Sequence, residues 1–140
     1  MRILITEDEF ITRRLLFKLL IPLGRCDLAV DGLKALEAFK EALKSEEKYD
    51  LVFLDIIMPR IDGIDVLKNI REMEEQENIP AEKRCKIIMT TGLADRQNVL
   101  RAANEGCNAY LIKPIVKKEL YKKLQILGIL ESSKDQVKRL

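Results

Sequence analysis

The sequence predicts an α/β domain in which a parallel sheet of five strands is covered by helices on both faces. Short apolar segments alternate with longer segments of helical period along most of the chain. This alternation is typical of a parallel sheet with crossover helices. The length of 140 residues suits one domain with one hydrophobic core. We therefore expect five successive strand–helix units.

Strands are predicted where apolar residues cluster, and helices are predicted between them. The predicted strands are RILIT (2–6), CDLAV (26–30), LVFLD (51–55), KIIMTT (86–91) and AYLIK (109–113). The predicted helices are Glu9–Leu23, Gly32–Glu47, Gly63 to about Glu77, Asp95–Gly106 and Val116 to about Leu127. Apolar residues recur at helical spacing along the first helix, so this face should pack on the sheet. They are Phe10, Leu16, Leu19, Leu20 and Leu23.

Two segments lie outside this pattern. Residues 74–85, EEQENIPAEKRC, are strongly charged, so we expect a solvated surface; a loop that docks a partner is the alternative. The last ten residues, ESSKDQVKRL, lose the apolar period. We therefore assign residues 1–128 to the domain and residues 129–140 to a tail or the start of a linker.

Composition excludes several classes of protein. No apolar run approaches the roughly 20 residues that a membrane helix requires. The start MRILIT turns polar at once with EDE, so we expect no leader peptide, no membrane segment and a cytoplasmic location. A formal net charge of +2 is too small to predict direct nucleic acid binding.

The residue types present limit the chemistry. The chain has no histidine, which excludes His-ligated metals, Ser–His and Cys–His nucleophile pairs and histidine bases. Its three cysteines, Cys26, Cys85 and Cys107, are far apart, so we expect free thiols rather than disulfides or a CxxC site. Any reaction must use carboxylates, hydroxyls, lysines and a hard cation.

Polar side chains stand where four of the predicted strands end. They are Glu7 and Asp8 after the first strand, Asp55 after the third, Thr90 and Thr91 after the fourth, and Lys113 after the fifth. In an open parallel sheet, ligands bind at the carboxyl ends of the strands, so these groups should converge in one shallow pocket. Taken singly, each could be a helix N-cap or a surface group, and Glu7 or Asp8 could simply cap the first helix.

Three carboxylates in one pocket repel each other unless a cation binds. With only oxygen ligands available, Mg²⁺ fits best. A metal beside an aspartate, a lysine and a threonine predicts phosphoryl chemistry. Asp55 would be the nucleophile that forms an aspartyl phosphate, while Lys113 and the cation neutralise the phosphoryl oxygens and a threonine hydroxyl donates to one of them.

Four motifs in order resemble a known family. ITEDE, LVFLDIIMPRIDG, IIMTTG and NAYLIKP, spread from about Ile3 to Leu127, resemble the response-regulator receiver domain of two-component signalling. The resemblance implies a flavodoxin-like, doubly wound three-layer fold with sheet order 2-1-3-4-5. It also implies a phosphoacceptor that takes its phosphoryl group from a histidine kinase or a histidine phosphotransfer protein.

The resemblance assigns roles to seven residues. Asp55 would be the phosphoacceptor, Asp8 a direct Mg²⁺ ligand, Glu7 a ligand through water, Ile57 a ligand through its carbonyl, Thr91 the switch hydroxyl, Lys113 the phosphate-pairing lysine and Tyr110 the aromatic that changes rotamer. The Lys113–Pro114 bond is usually cis in such domains, which would aim the lysine inward. In this reading the chain is a signalling protein rather than an enzyme with a separate substrate.

The resemblance also implies an output surface and bears on the rate of self-dephosphorylation. The fourth helix, fifth strand and fifth helix would form a face that docks a downstream protein or a second copy of the chain. The segment VKKELYKKL gives this face a basic component, which consists of Lys117, Lys118, Lys122 and Lys123 around Leu120 and Leu124. The alternative is that these lysines are only a solvated rim. Apolar Ile57 and Leu93 predict slow self-dephosphorylation, although Gly92 leaves room for water and weakens this expectation.

Two other functions remain open from the residues alone. One is a Mg²⁺-dependent phosphatase of the haloacid dehalogenase type, but its nucleophile would lie after the first strand rather than the third. The other is a receiver-like interaction module that is never phosphorylated. The intact set of Asp55, Thr91 and Lys113 argues against this second alternative.

Overall fold

The computed structural model describes residues 1–92 and 96–131. Five strands and five helices alternate within these residues. The strands are β1 (Arg2–Thr6), β2 (Arg25–Ala29), β3 (Leu51–Asp55), β4 (Lys86–Thr91) and β5 (Ala109–Ile112). The helices are α1 (Phe10–Leu20), α2 (Gly32–Lys44), α3 (Gly63–Gln76), α4 (Arg96–Asn104) and α5 (Lys117–Ile126). Single turns of 3₁₀ helix occur at Ile21–Leu23 and Ala81–Lys83.

The strands form one parallel sheet in the order β2-β1-β3-β4-β5. This confirms the predicted fold class and strand order. The order changes direction between β1 and β3, so the carboxyl ends of these two strands border the crevice where ligands bind in such sheets. All described strands lie within one residue of their predicted bounds.

The sheet separates two apolar layers. Val52 and Leu54 of β3 pack with α2 and α3 on one face, while Leu51 and Phe53 pack with α1 and α5 on the other. Successive side chains of a strand point to opposite faces, so Asp55 follows Phe53 onto the α1 and α5 face. Every residue of β3 is buried, which fixes the backbone that carries Asp55.

The first helix differs from its prediction. Leu16 and Leu20 are buried on the sheet, as predicted, whereas Phe10 is 60% exposed. The prediction for Phe10 was wrong because it stands at the first position of α1, ahead of the turns that contact the sheet. The helix also ends at Leu20, and the 3₁₀ turn that follows contains Pro22, whose ring cannot continue a regular helix.

The charged segment 74–85 is only partly solvated. Glu74 is 2% exposed and lies 2.7 Å from the guanidinium of Arg71, and it also accepts a hydrogen bond from the backbone N–H of Cys85. Arg71 donates in turn to the carbonyl of Gly106 and to the side chain of Asn108. Glu74 therefore belongs to a buried network that ties α3 to the start of β4 and to the loop before β5.

The remaining predictions concern the chain ends and the helices. The predicted start of the fourth helix, Asp95, lies outside the described residues, as does the tail beyond Glu131. Ile129 and Leu130 pack against the α1 and α5 layer, so ordered packing extends at least this far. No helix of the described residues is long and apolar enough to cross a membrane. The Lys113–Pro114 peptide bond is cis, which confirms that prediction.

Candidate functional site

Three carboxylates meet at the switch point of the sheet. Glu7, Asp8 and Asp55 each place one carboxylate oxygen within 4.8 Å of the other two. The N–H of Glu7 donates to the carbonyl of Ala29 at 3.1 Å, so pairing with β2 continues one residue past β1 and holds Glu7 at the edge. Glu7 and Asp55 are buried and Asp8 is exposed. The predicted convergence of these carboxylates is confirmed.

Asp55 is held at both of its carboxylate oxygens. Oδ1 accepts a hydrogen bond from the backbone N–H of Ile57 at 3.2 Å, and Oδ2 accepts one from the ammonium of Lys113 at 3.1 Å. Asp55 stands in register with Thr90 of β4, and the N–H of Ile56 donates to the Thr90 carbonyl. Sheet pairing therefore continues to the residue after Asp55, which fixes the backbone that carries the carboxylate.

Lys113 bridges two of the carboxylates. Its ammonium lies 2.6 Å from Oε1 of Glu7 and 3.1 Å from Oδ2 of Asp55. Its backbone N–H donates to the carbonyl of Thr91 at 2.7 Å, which anchors the end of β5 to β4. Burial lowers the pKa of Lys113, but its hydrogen bonds to Glu7 and Asp55 outweigh burial and raise that pKa above its usual value. The lysine is therefore charged at neutral pH.

The buried carboxyl of Glu7 has an unusual pKa. Burial is the largest cause, a hydrogen bond with Asp55 adds to it, and the opposing effect of Lys113 is too small, so that the pKa of Glu7 rises to about 7. One ammonium therefore does not balance this cluster. Three carboxylates that face one ammonium are an all-oxygen donor set with excess negative charge, and such a set fits a hard divalent cation such as Mg²⁺.

The loop from β3 to α3 shapes the side of the site next to Asp55. The N–H of Gly63 donates to the carbonyl of Ile56 at 2.8 Å, and a Cβ at this position would overlap the carbonyl of Asp55. Only glycine permits that approach. Asp62 then caps α3 by accepting from the N–H of Asp65. Ile57, the predicted carbonyl ligand, lies in this loop with its side chain 65% exposed.

The two predicted switch residues lie on neighbouring strands. Thr91 is buried at the end of β4, one residue past the register partner of Asp55, and stands in register with Ile112. Tyr110 is 39% exposed on the edge strand β5, with the ammonium of Lys123 5.5 Å from its ring centre. The structure thus places Thr91 near the carboxylates and Tyr110 on the outer surface. Their roles as switch residues stay predictions.

Sequence reasoning missed Arg13 near the carboxylates and gave Thr90 no role of its own. The guanidinium of Arg13 donates to the carbonyls of Glu7 and Asp8. Thr90 is buried beside Asp55, and its hydroxyl has no hydrogen-bond partner among the described residues. An arginine in the second turn of a helix is common on surfaces, so the sequence offered no signal for Arg13. Thr90 was noted only together with Thr91.

Comparison with known proteins identifies the family. The model of the response regulator receiver domain matches residues 3–125. The chain belongs to this family. As a receiver domain of two-component signalling, it is 38% identical to the chemotaxis protein CheY-3 of Vibrio cholerae over 126 residues, which cover 89% of this chain and 88% of that protein.

Two solved structures are similar to this receiver domain. A chain of the crystal structure of the CheX-CheY-BeF3-Mg+2 complex from Borrelia burgdorferi matches with a TM-score of 0.77 and 26% identity, covering 91% of this chain and 88% of that one. A chain of the co-crystal structure of the Saccharomyces cerevisiae histidine phosphotransfer protein Ypd1 and the receiver domain of its response regulator Ssk1 matches with a TM-score of 0.76 and 27% identity, covering 95% and 94%.

Proposed function

We propose that this receiver domain accepts a phosphoryl group on Asp55, with Mg²⁺ bound, from a histidine kinase or a histidine phosphotransfer protein. The observation that carries the proposal is that the Asp55 carboxylate lies within 4.8 Å of the carboxylates of Glu7 and Asp8 and 3.1 Å from the ammonium of Lys113. A nucleophilic carboxylate, a cation site and a fixed positive charge are the parts that phosphoryl transfer needs.

In the proposed transfer, an oxygen of Asp55 attacks the phosphorus of the donor's phosphohistidine. The new O–P bond forms as the P–N bond breaks, and the histidine nitrogen leaves with the electron pair of that bond. The N–H of Ile57 and the ammonium of Lys113 hold Asp55 for in-line attack. Lys113 can then donate to a phosphoryl oxygen as negative charge spreads over the group.

Glu7, Asp8, Asp55 and the carbonyl of Ile57 are the proposed holders of Mg²⁺. When bound, the ion supplies positive charge that neutralises the oxygens of the transferring group. The raised pKa of Glu7 supports this proposal, because burial and the neighbouring Asp55 disfavour the charged carboxylate more than Lys113 favours it. The similar structure from Borrelia burgdorferi, a complex of CheX and CheY with BeF3 and Mg+2, adds support.

The surface beside the site suits a protein donor. Phe10 and Ile11, 60% and 76% exposed, follow the acidic loop directly at the start of α1. The guanidinium groups of Arg13 and Arg14 each lie 5.7 Å from the centre of the Phe10 ring. An apolar patch with a basic rim can dock an amphipathic helix. The Ypd1 and Ssk1 co-crystal structure supports a donor of the phosphotransfer class.

We further propose that phosphorylation changes the face formed by α4, β5 and α5. The added phosphoryl charge would draw the Thr91 hydroxyl toward Asp55, and the ring of Tyr110 would turn inward into the space that is freed. The face exposes Leu100 on α4, while Ile112 and Ile126 line one groove together with Lys122, so it is suited to a partner protein or a second copy of the chain. Self-association would give a homodimer. We also propose a cytoplasmic location.

Self-dephosphorylation is proposed to be slow. Ile57 is apolar and exposed beside the carboxylate, and it offers no group that could orient an attacking water. Leu93, the second apolar residue of this prediction, lies outside the described residues. Gly92 acts in the opposite direction, because among the described residues nothing lies within 4 Å of where its Cβ would be, which leaves room for water on that side.

The decisive test is the intact mass after incubation with acetyl phosphate and Mg²⁺. We expect the addition of one phosphoryl group, absent in Asp55→Asn and absent when EDTA removes the metal. Continuous release of phosphate without a modified protein would favour the phosphatase alternative. No modification and no phosphate release, from acetyl phosphate or from a phosphorylated histidine phosphotransfer protein, would favour the unphosphorylated interaction module.

A further inference from the structure

We propose that Arg13 is a positioning residue for the Mg²⁺ site, because it fixes the backbone on both sides of Asp8. One guanidinium nitrogen, Nη1, donates to the carbonyl of Glu7 at 2.9 Å and to the carbonyl of Asp8 at 3.2 Å. These bonds join the second turn of α1 to the loop that carries two of the three carboxylates. The inference rests on the proposed Mg²⁺ site.

The two carbonyls determine where Asp8 points. The carbonyl of Glu7 belongs to the peptide plane before Asp8, and the carbonyl of Asp8 belongs to the plane after it. Peptide units are planar, so holding both planes sets the φ and ψ of Asp8 and thus the direction of its Cβ. A single side chain that bonds both carbonyls can therefore aim this carboxylate at the cluster.

Asp8 needs such help because its own carboxylate is not held. It is exposed, and among the described residues it has neither a hydrogen-bond donor nor an ion-pair partner for its side-chain oxygens. Glu7 and Asp55, in contrast, are buried and bonded to Lys113. The N-cap residue of α1, Glu9, makes no side-chain cap bond to the helix backbone; its carboxylate accepts from the Thr12 hydroxyl at 2.6 Å, and its N–H donates to Oε2 of Glu7 at 3.2 Å. These bonds hold the residues before and after Asp8, and Arg13 adds the bonds to the two carbonyls that flank the Asp8 side chain.

Charge and geometry at Arg13 act in opposite directions on metal affinity. A guanidinium close to a cation site repels the cation, so its removal on electrostatic grounds alone would tighten Mg²⁺ binding. Loss of the two hydrogen bonds would free the Asp8 backbone and weaken binding, because a ligand that must first be ordered binds metal less tightly. The sign of the change therefore separates a positioning role from a bystander charge.

Arg14 provides the matched control. It is the next residue, it carries the same charge, and its guanidinium lies at the same 5.7 Å from the Phe10 ring, but it makes no hydrogen bond to Glu7 or Asp8 within the described part of the chain. Arg13→Gln and Arg14→Gln therefore remove equal charge and equal contact with Phe10. Only Arg13→Gln removes the bonds to the loop.

The experiment is a Mg²⁺ titration followed by amide NMR shifts of the β1–α1 loop, on wild type, Arg13→Gln, Arg14→Gln and Asp8→Asn. We expect Arg13→Gln to weaken Mg²⁺ binding about three- to tenfold, the range that one lost hydrogen-bonding group gives. Arg14→Gln should bind Mg²⁺ as tightly as wild type or slightly more tightly. Hydrogen exchange without metal should be faster at the amides of Asp8 and Glu9 in Arg13→Gln only.

Each result supports or overturns the proposal. If wild type binds Mg²⁺ and Arg13→Gln binds it equally or more tightly, Arg13 has no positioning role and the metal site still stands. If wild type shows no Mg²⁺ response that Asp8→Asn removes, the metal site fails and this inference fails with it. Should Arg13→Gln not fold, Arg13→Lys replaces it, because the lysine keeps the charge but not the reach of the guanidinium. Its affinity should then fall below that of wild type, and wild-type affinity in Arg13→Lys would overturn the proposal.

Discussion

The ammonium of Lys113, just past the end of β5, lies 2.6 Å from Oε1 of Glu7, just past the end of β1. The same ammonium also bonds Asp55, so one cation serves two buried carboxylates. Burial, with the nearby Asp55 as a second cause, raises the pKa of Glu7 to about 7 in spite of its ion pair with Lys113. The resting site is short of positive charge, and it can gain that charge from a proton or from a metal ion.

Mg²⁺ affinity should therefore depend on pH in the neutral range. Because the pKa of Glu7 is about 7, a proton competes with the metal below that pH, and affinity should increase from about pH 6 to about pH 8. Titration calorimetry at several pH values measures this, together with the proton released on binding. In Glu7→Gln the affinity should be lower and nearly independent of pH. Equal pH dependence in both proteins would contradict the assignment.

Stability without metal should show the opposite trend. The pKa of Glu7 in the folded protein lies above the ordinary value of 4.5, so its contribution to stability is fully present below that value and is lost as the pH rises toward 7. We expect the urea midpoint of wild type to fall across this window relative to that of Glu7→Gln. Added Mg²⁺ should reverse the fall at high pH. Parallel curves for the two proteins would refute this account.

Replacement of Lys113 should impair activation more than folding. Lys113→Ala removes the cation that faces the phosphoryl oxygens, and transfer from acetyl phosphate should slow by about tenfold or more. The loss in folding stability should be limited, because Glu7 can take up a proton and so avoid repelling Asp55. Chemical shifts with and without beryllofluoride report the switch, and Lys118→Ala, an exposed lysine of α5, is the control. If beryllofluoride changed the chemical shifts of Lys113→Ala as it changes those of wild type, Lys113 would not be the group that pairs with the phosphoryl oxygens.

Thr90→Val should stabilise the protein. The Thr90 hydroxyl is buried and lacks a partner among the described residues, and a buried polar group without a hydrogen bond costs about 1–3 kcal/mol. Valine has nearly the same shape, so we expect a gain of about 1 kcal/mol in the free energy of unfolding measured with urea. Thr91→Val is the comparison, because Thr91 does interact within the structure and should not gain. A loss of stability in Thr90→Val would reveal a partner such as a buried water.

The strands and the carboxylate cluster could be predicted because their signals are local. LVFLD is apolar up to its last residue, and a parallel sheet brings the carboxyl ends of its strands to one edge, so the meeting of Glu7 with Asp55 follows from topology. Tertiary contacts between distant residues gave no such local signal. In the sequence Glu74 cannot be told from a solvated glutamate. Only the structure shows that it is buried and bonded to Cys85 and Arg71.

Arg13 and Phe10 show the same limit on the first helix. Helical spacing placed Phe10 in the apolar stripe, but spacing alone does not reveal where along its length a helix leaves the sheet. The bonds of Arg13 depend on the path of the loop before the helix, which turns two carbonyls toward it. Unlike a helix N-cap such as Asp62, a long side chain that bonds the backbone of a neighbouring loop leaves no pattern in the sequence. Such residues become visible only in the structure.

The output face should bind its partner in a way that depends on both activation and charge. Tyr110, Lys122, Lys123 and Ile126 line a groove of about 290 Å³ between β5 and α5. We expect beryllofluoride to increase capture of an acidic partner peptide or self-association, because the turn of the Tyr110 ring would reshape this groove. Lys118→Glu/Lys122→Glu should weaken that binding, and added salt should weaken it as well.

The same helix offers a matched control on its other side. Lys117 lies 5.4 Å from the ring centre of Tyr121, whose hydroxyl donates to the carbonyl of Leu19 in α1, so Lys117 faces away from the groove. Lys117→Glu/Lys118→Glu changes the net charge as much as the test variant does, but it leaves Lys122 in place. If the groove is the output surface, this control should retain most of the activated binding measured by light scattering and fluorescence anisotropy. Equal losses in both double variants would mean that net charge decides the binding, and no loss in either would place the output surface elsewhere.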